Sequence, residues 1–548
     1  MEIVWVSAIP VAELPEKRDN ALYTSNIFEP LVLPDKSDQP QVRKYTFKLS
    51  SKELSPDGFS RTCYLVNDQY PGPIIQAYKG DTISVEVVND LSVETAMHWH
   101  GMFQRGTPWY DGVPGMTQCL LASKSSLTYE FSVDEQSGTY WWHSHYKAQY
   151  LDGILGPLII HDKNDPYVKE YDYELVLTLT DWYHAIAGDL LAGLLTPGYK
   201  GLNVSLVSGK GRYNCDAAPG SKCVKNSPYA VYKVKKGKKY RFRIINTSAE
   251  AFFALSIDSH TMKVIEVEGT LVKSVEVKQI ALHVAQRFSV IVEANQEVGN
   301  FWIRANMSKS CIANNNFTIN TNSAVNYDVR AILSYEGADD KEPTSSAYPD
   351  EVKPCRNLDS KLLKPLIDSP CPEKTESVSF NVTFDKIKNV TAAKIDNSSY
   401  VPTFDSPTLL QIINDGINVK DLPTTQNIQE FDNENGVVEI TVFNTNPANH
   451  PFHLHGQTFY LLGEGSGQKV NETLNTNDPP IRDTTVVPSN GWSVIRFKTD
   501  NPGVWNFHCH IEWHIEIGMV KQLIVNPSKI RSLKVPDSVK NLCKAQTY

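Results

Sequence analysis

Thirteen consecutive residues, Phe507-His508-Cys509-His510-Ile511-Glu512-Trp513-His514-Ile515-Glu516-Ile517-Gly518-Met519, hold three imidazoles, a thiol, a thioether and two acids. In an extended strand neighbouring side chains point to opposite faces, so His508 and His510 share one face and Cys509 takes the other. One strand then serves two metal sites. Cys509, His514 and Met519, with one more histidine from elsewhere, make the thiolate, imidazole and weak-thioether set of a blue-copper electron-transfer site. His508 and His510 belong to a second site, one residue of backbone from Cys509 in either direction. The stretch reads as a wire.

Three other segments supply histidines at the same spacing: His98-Trp99-His100-Gly101, His143-Ser144-His145 and His450-Pro451-Phe452-His453-Leu454-His455-Gly456. Ten of the 14 histidines fall in these four places. Composition alone would give roughly 0.4 His-x-His pairs by chance, and four are present, so scattered core or surface imidazoles do not explain them.

These motifs resemble the complete copper-ligand signature of the multicopper oxidases, the family of laccases, ascorbate oxidases and yeast-type ferroxidases. Carried onto matching positions, the resemblance implies four copper ions. A type 1 site would take His450, Cys509 and His514 with Met519 axial; the type 2 copper would take His98 and His453. The type 3 pair would take His100, His143, His145, His455, His508 and His510. A thioether at 519, rather than Leu or Phe, implies a moderate reduction potential. Reduction of O2 to water consumes four protons, so acids are expected near the cluster. The resemblance makes these Asp111, in Trp109-Tyr110-Asp111-Gly112, and Glu512. Asp181, in Asp181-Trp182-Tyr183-His184, matches a laccase segment whose Asp contacts the phenol, and is the candidate substrate carboxylate; a helix or turn cap is its alternative. His161, His184, His260 and His283 lie outside every motif and are expected to be structural.

The elements that must position these groups repeat. Residues 80–89, 236–246 and 436–444 alternate apolar and polar with period two, the pattern of a half-buried strand. A second signature recurs at 138–143, 299–304 and 503–508. Three copies of two strands imply three related β domains. Counting from the first signature, the positions of His98 and His100 read Leu255 and Ile257 in the second copy and His453 and His455 in the third. Those of His143 and His145 read Arg304 and Asn306, then His508 and His510. The middle copy has no ligand, so a cluster of eight histidines lies between the first and third. Only the third holds a cysteine, Cys509, where the others have Ser144 and Ala305. The expected fold is all-β, three cupredoxin-like Greek-key β-sandwich domains at 41–165, 166–335 and 375–548. A polar lead precedes them at 1–40, and 336–374 reads as a long surface linker.

The chain has 548 residues and a net charge of −9. Nothing supports nucleic-acid binding, and no run reaches the ~18 apolar residues of a membrane span. Nine cysteines less Cys509 leave eight, compatible with four disulfides. The resemblance pairs Cys119 with Cys543. Cys355 and Cys371 could pin the linker and Cys215 and Cys223 close a local loop, leaving Cys63 and Cys311 open. Sequons at Asn203, Asn246, Asn306, Asn316, Asn381, Asn389, Asn397 and Asn471 add to the case for secretion. Residues 3–10 lack a basic n-region and a full h-region, so the secretory leader is expected to be missing from this sequence, and Lys17-Arg18 is a candidate processing site. The expectation is a secreted, monomeric, laccase-like oxidase of phenols or aromatic amines that uses O2. Ferroxidase and ascorbate oxidase are the rival enzymes, and a non-catalytic copper-binding protein is the rival of another class.

Overall fold

The structure is a computed structural model that describes residues 27–194, 204–308, 311, 325–349, 355–387 and 390–544. The expectations for residues 3–10, Lys17-Arg18 and the sequons at Asn203, Asn316 and Asn389 lie outside them. All six repeated signatures are strands: Thr82–Asn89, Lys239–Asn246, Val437–Asn444, Gly138–Ser144, Asn300–Met307 and Gly503–Cys509. The all-β expectation is met by six sheets, two of four strands in the first part of the chain, then one of six and one of five in each of the next two parts.

Each part is a sandwich, because alternation leaves every sheet an apolar face to cover. In the first, Ser125–Ser132 alternates between exposed and buried positions, and Phe47 of one sheet meets Trp142 of the other at a ring separation of 4.6 Å. In the third, Phe380 meets Phe507 across the sandwich at 6.0 Å. Several strands break the alternation; among them Met97–His100, Gly138–Ser144, His450–Leu454 and Gly503–Cys509 are buried at every position. A strand covered on both faces must be packed on both, and these carry most of the histidine motifs.

Strand register corrects the repeat arithmetic. His98 pairs with His143 and His453 with His508, but in the middle part Arg304 pairs with Ser256, not with Leu255. The middle loop is one residue longer than counted, so Ser256 and Asp258 occupy the places of the paired histidines. Arg304 makes a buried ion pair with Asp258 there, at 2.9 Å. A polar pair has replaced a metal-ligand pair in an equivalent position.

The described residues of the linker 336–374 lie mostly at the surface, but the segment is also anchored. It runs as a strap along the middle sandwich, with Lys273 and Leu271 hydrogen-bonded to Lys364 and Leu366, and it buries Leu363 completely. Cys355 does not reach Cys371 but bonds to Cys311, while Cys119–Cys543 and Cys215–Cys223 pair as anticipated. Three disulfides are formed, not four. Cys63 and Cys371 are buried free thiols, and burial pushes Cys63 up to about 11. Denatured, metal-stripped, unreduced protein should therefore titrate three thiols, Cys63, Cys371 and Cys509; a single thiol would mean a fourth bridge. Asn246 is fully buried and donates to the carbonyls of Ala251 and Leu282, so it is no glycan acceptor, whereas Asn381, Asn397 and Asn471 are exposed.

Candidate metal centre

The four motifs converge on the seam between the first and third sandwiches. His100, His143 and His510 form one triad and His145, His455 and His508 another, each with ring nitrogens within 4.8 Å of one another. His98 and His453 stack on these, His98 on His455 at 4.0 Å and His453 on His100 at 3.7 Å. Each triad mixes residues of both sandwiches, so neither could hold it alone. On the other face of Gly503–Cys509, the Cys509 sulfur lies 3.6 Å from His450 Nδ1 and 3.4 Å from His514 Nδ1, and those two nitrogens are 3.2 Å apart. Met519 is buried beside them, its backbone hydrogen-bonded to Cys509 and His514.

The imidazoles are oriented from behind. Nδ1 of His98 is 2.7 Å from the Asp111 carbonyl, Nδ1 of His453 is 2.8 Å from that of Asp483, and His143 and His508 make the same contact with Ser144 and Cys509. With the proton held at Nδ1, Nε2 carries the lone pair. The Nε2 atoms of His98, His143 and His453 have no hydrogen-bond partner among the described residues. Burial, then neighbouring imidazoles, push His100, His143, His145, His453, His455 and His508 well below the ordinary histidine range. Burial brings His450 to about 3 and holds His510 there as well. Such rings are neutral at working pH, and orphaned neutral nitrogens converging on one point are what a bound cation satisfies. Burial also pushes the Cys509 thiol well up, so the thiolate requires a cation beside it. Imidazole with one thiolate fits copper, which soft sulfur and borderline nitrogen both favour.

One of the two expected acids meets the histidines directly. Asp111 Oδ2 is 2.9 Å from His455 Nδ1, and Oδ1 is 3.3 Å from His98 Nδ1. Gly112 lets the loop close here: its φ is +80° and a Cβ would lie 1.7 Å from the Met97 carbonyl oxygen. Glu512 is not on a strand but opens the short helix Glu512–Glu516, with its backbone N–H donated to the Ala249 carbonyl. Burial, then the nearby Glu516, push it well above the carboxylate range, so it holds a proton at neutral pH.

Asp181 departs from expectation. It is fully buried, and its carboxylate accepts the backbone N–H groups of Ala249, Glu250 and Ala251 at 2.7, 2.8 and 3.1 Å. Burial raises it to about 6 against the pull of those three donors. The capping role is the observed one, because a carboxylate so enclosed has no face left for a substrate. The turn it caps carries Glu250, which lines a narrow cleft with Phe252, His283, Asn449, Pro451 and Ile511. Glu250 accepts the Tyr183 hydroxyl at 2.9 Å. Both Glu250 and His283 belong to the ligand-free middle part, where no metal motif drew attention. Of the other histidines outside the motifs, His161 pairs with Gln76, His184 with Asp57 and His260 with Tyr335.

Comparison with known proteins agrees with this geometry. Three family models, each described as multicopper oxidase, match residues 48–165, 173–338 and 395–529. Laccase-1 of Cryptococcus neoformans is 36% identical over 538 residues, covering 92% of this chain and 84% of that protein. A laccase of Phlebia radiata is 36% identical over 520 residues, with 91% and 92% covered. Among solved structures, Botrytis aclada laccase has a TM-score of 0.84 at 31% identity, covering 95% of this chain and 93% of that one. Fet3p, a multicopper oxidase that functions in iron import, has a TM-score of 0.82 at 28% identity, covering 92% and 95%. The chain belongs to the multicopper oxidases, as a copper-binding, cupredoxin-like oxidoreductase of the laccase type.

Proposed function

We propose that this oxidase takes electrons one at a time from phenolic or aromatic-amine donors at the cleft beside His450 and uses four of them to reduce O2 to water. The observation that carries the reading is the partition of buried imidazoles into two kinds of site on opposite faces of one strand, joined at Cys509. Four copper ions would fit it: His450, Cys509, His514 and Met519 would hold one, His98 and His453 another, and the two triads, His100, His143 and His510, and His145, His455 and His508, a pair. Copper held in these places would supply single-electron cycling on the thiolate side and four-electron reduction of O2 on the histidine side.

The remaining chemistry belongs to the protein. Cys509 connects to His508 and His510 through one residue of backbone each way, with the His508 ring donating to the Cys509 carbonyl at 3.0 Å as a shorter link. Glu512, neutral and buried, is a proton donor for the water formed, and Asp111 fixes His455 and His98. Asp181 acts through the turn it caps, setting Glu250 at the cleft. All these groups come from one chain, which makes a monomer sufficient. Exposed sequons and three disulfides favour secretion.

The deciding measurement is oxygen uptake by copper-loaded protein, comparing kcat/KM for a substituted phenol with that for ferrous iron. The expected result is a phenol preference of at least about tenfold, or ~1.4 kcal/mol in transition-state binding. A tenfold preference for iron would move the chain to the ferroxidases, whose iron-import member shares its fold.

A further inference from the structure

His450 is the first residue of the strand His450–Leu454, so ladder hydrogen bonds restrain it from one side only. The other side is held through Asn449. That side chain is half-buried and its amide is engaged at both ends. Oδ1 accepts the Ser489 N–H at 2.6 Å, just past the end of the ladder in which His450 lies opposite Val487. Nδ2 donates to the carbonyl of Cys355, in the strap between the middle and third sandwiches. A donor and an acceptor satisfied by different segments leave the amide one orientation.

Cys355 is itself fixed. Its sulfur is bonded to Cys311, and the His283 ring is hydrogen-bonded to its backbone. Both partners belong to the middle part of the chain. The φ of Cys355 is +63°, a left-handed conformation that a residue with a Cβ keeps where its surroundings enforce it. Two residues on, Asn357 accepts from Gln286 of the middle sandwich at 2.8 Å and donates to Glu464 of the third at 2.6 Å. Residues 355–357 are therefore a suture between those two sandwiches, and Asn449 is the point at which the suture reaches the neighbour of a candidate ligand.

We propose that Asn449 is a positioning residue for His450, and that the Cys311–Cys355 disulfide, by fixing the strap that Asn449 grips, sets the reduction potential of the site at His450, Cys509 and His514. The inference rests on the reading of that site as a blue-copper centre. His450 is fully buried, its Nδ1 3.6 Å from the Cys509 sulfur and 3.2 Å from His514 Nδ1. A shell that keeps these groups together and water out favours the less charged, reduced state of a bound copper ion. Releasing the grip admits water, favours the more charged state and lowers the potential.

Equilibrium redox titration against an outer-sphere mediator reads the potential with no phenol in the cleft. In Asn449→Ala the equilibrium constant for reduction at the blue site should fall at least about tenfold, ~59 mV for one electron, with copper per chain unchanged. Cys311→Ser combined with Cys355→Ser should lower it in the same direction, and adding Asn449→Ala to that pair should lower it little further, because both changes release one grip. Cys215→Ser with Cys223→Ser, which removes a bridge between residues eight apart elsewhere in the middle part, should leave the potential where it is. An unmoved potential in Asn449→Ala overturns the proposal, and so does one in the Cys311 and Cys355 variant; each result decides alone if the other protein fails to fold. An equal fall in the Cys215 and Cys223 variant would assign the effect to the fold as a whole and overturn it too. Wild-type protein that binds copper without the intense blue absorption overturns the parent reading and this one with it, whereas blue wild type with unmoved variants overturns the positioning role alone.

Discussion

Cys509→Ser should lower kcat for every donor by at least about a thousandfold, ~4 kcal/mol or more, and remove the intense blue absorption, while most of the copper stays bound. The argument is local. Serine keeps the size and the strand, so His508 and His510 remain aimed at the two triads, and the eight cluster histidines keep every backbone partner they have. What is lost is the sulfur that sits 3.4 and 3.6 Å from the His514 and His450 nitrogens. A hydroxyl does not ionise there and is a hard donor, so neither strong charge-transfer colour nor rapid one-electron exchange survives. Copper analysis and visible absorption of the purified variant, with oxygen uptake on a phenol, check it. Retained colour would mean that Cys509 does not ligate. Simultaneous loss of colour and of nearly all copper would mean that the two faces of Gly503–Cys509 fold as one unit and are not separable sites.

Much of this site was legible because its signal is periodic. Alternation along a strand separates Cys509 from His508 and His510 without any structure, and the register pairs His453 with His508 as the repeat implies. The expected all-β sandwiches followed from the same period. Errors came where position depends on chain outside the repeat. One extra residue in the middle loop shifted the equivalents of His98 and His100 to Ser256 and Asp258, which apolar patterning could not register because both readings lack histidine. Asp181 was given a substrate role from its motif, but three backbone donors enclose it, and backbone donors carry no sequence signal. Glu250 lies in the same turn and belongs to no motif. Cys311 reaches Cys355 across 44 residues, a closure that spacing does not select over Cys371. Contacts among three sandwiches are set by docking, and the sequence records them only as isolated polar residues.

Arg287 is the strongest case of such a contact, and Arg287→Ala should destabilise the protein by about 3–5 kcal/mol and empty the histidine cluster before the Cys509 site. Arg287 stands on the strand Arg287–Glu293 of the middle sandwich, which contributes no candidate ligand, yet it is fully buried. Its guanidinium donates to Asp483 Oδ1 and Oδ2 at 2.6 and 2.5 Å, and its Nε to the carbonyl of Thr139 at 3.1 Å. Asp483 belongs to the third sandwich and Thr139 to the first, so one side chain ties the two halves of the cluster to a common support. Beyond that tie, the Asp483 carbonyl is 2.8 Å from His453 Nδ1, and its carboxylate is 3.5 Å from His100 Nε2. Beside it, Glu268 of the middle sandwich makes the same kind of two-pronged pair with Arg482 and accepts the backbone N–H of Asp483. Removing Arg287 leaves an unpaired carboxylate next to two imidazoles in a dry interior. The charge must find a proton, water or a new partner, and each of these moves Asp483 and with it the His453 ring. Arg287→Lys keeps the charge without the fork, so it should recover part of the stability and little of the cluster occupancy. Thermal unfolding, copper per chain and the blue absorption together read the outcome: low copper with the colour intact is the expected pattern. Full copper at an unchanged melting temperature in Arg287→Ala would show that the middle sandwich is a spacer with no hold on the cluster. Equal loss of copper at both sites would place its effect on the whole fold, and the Asp483 route to His453 would fall.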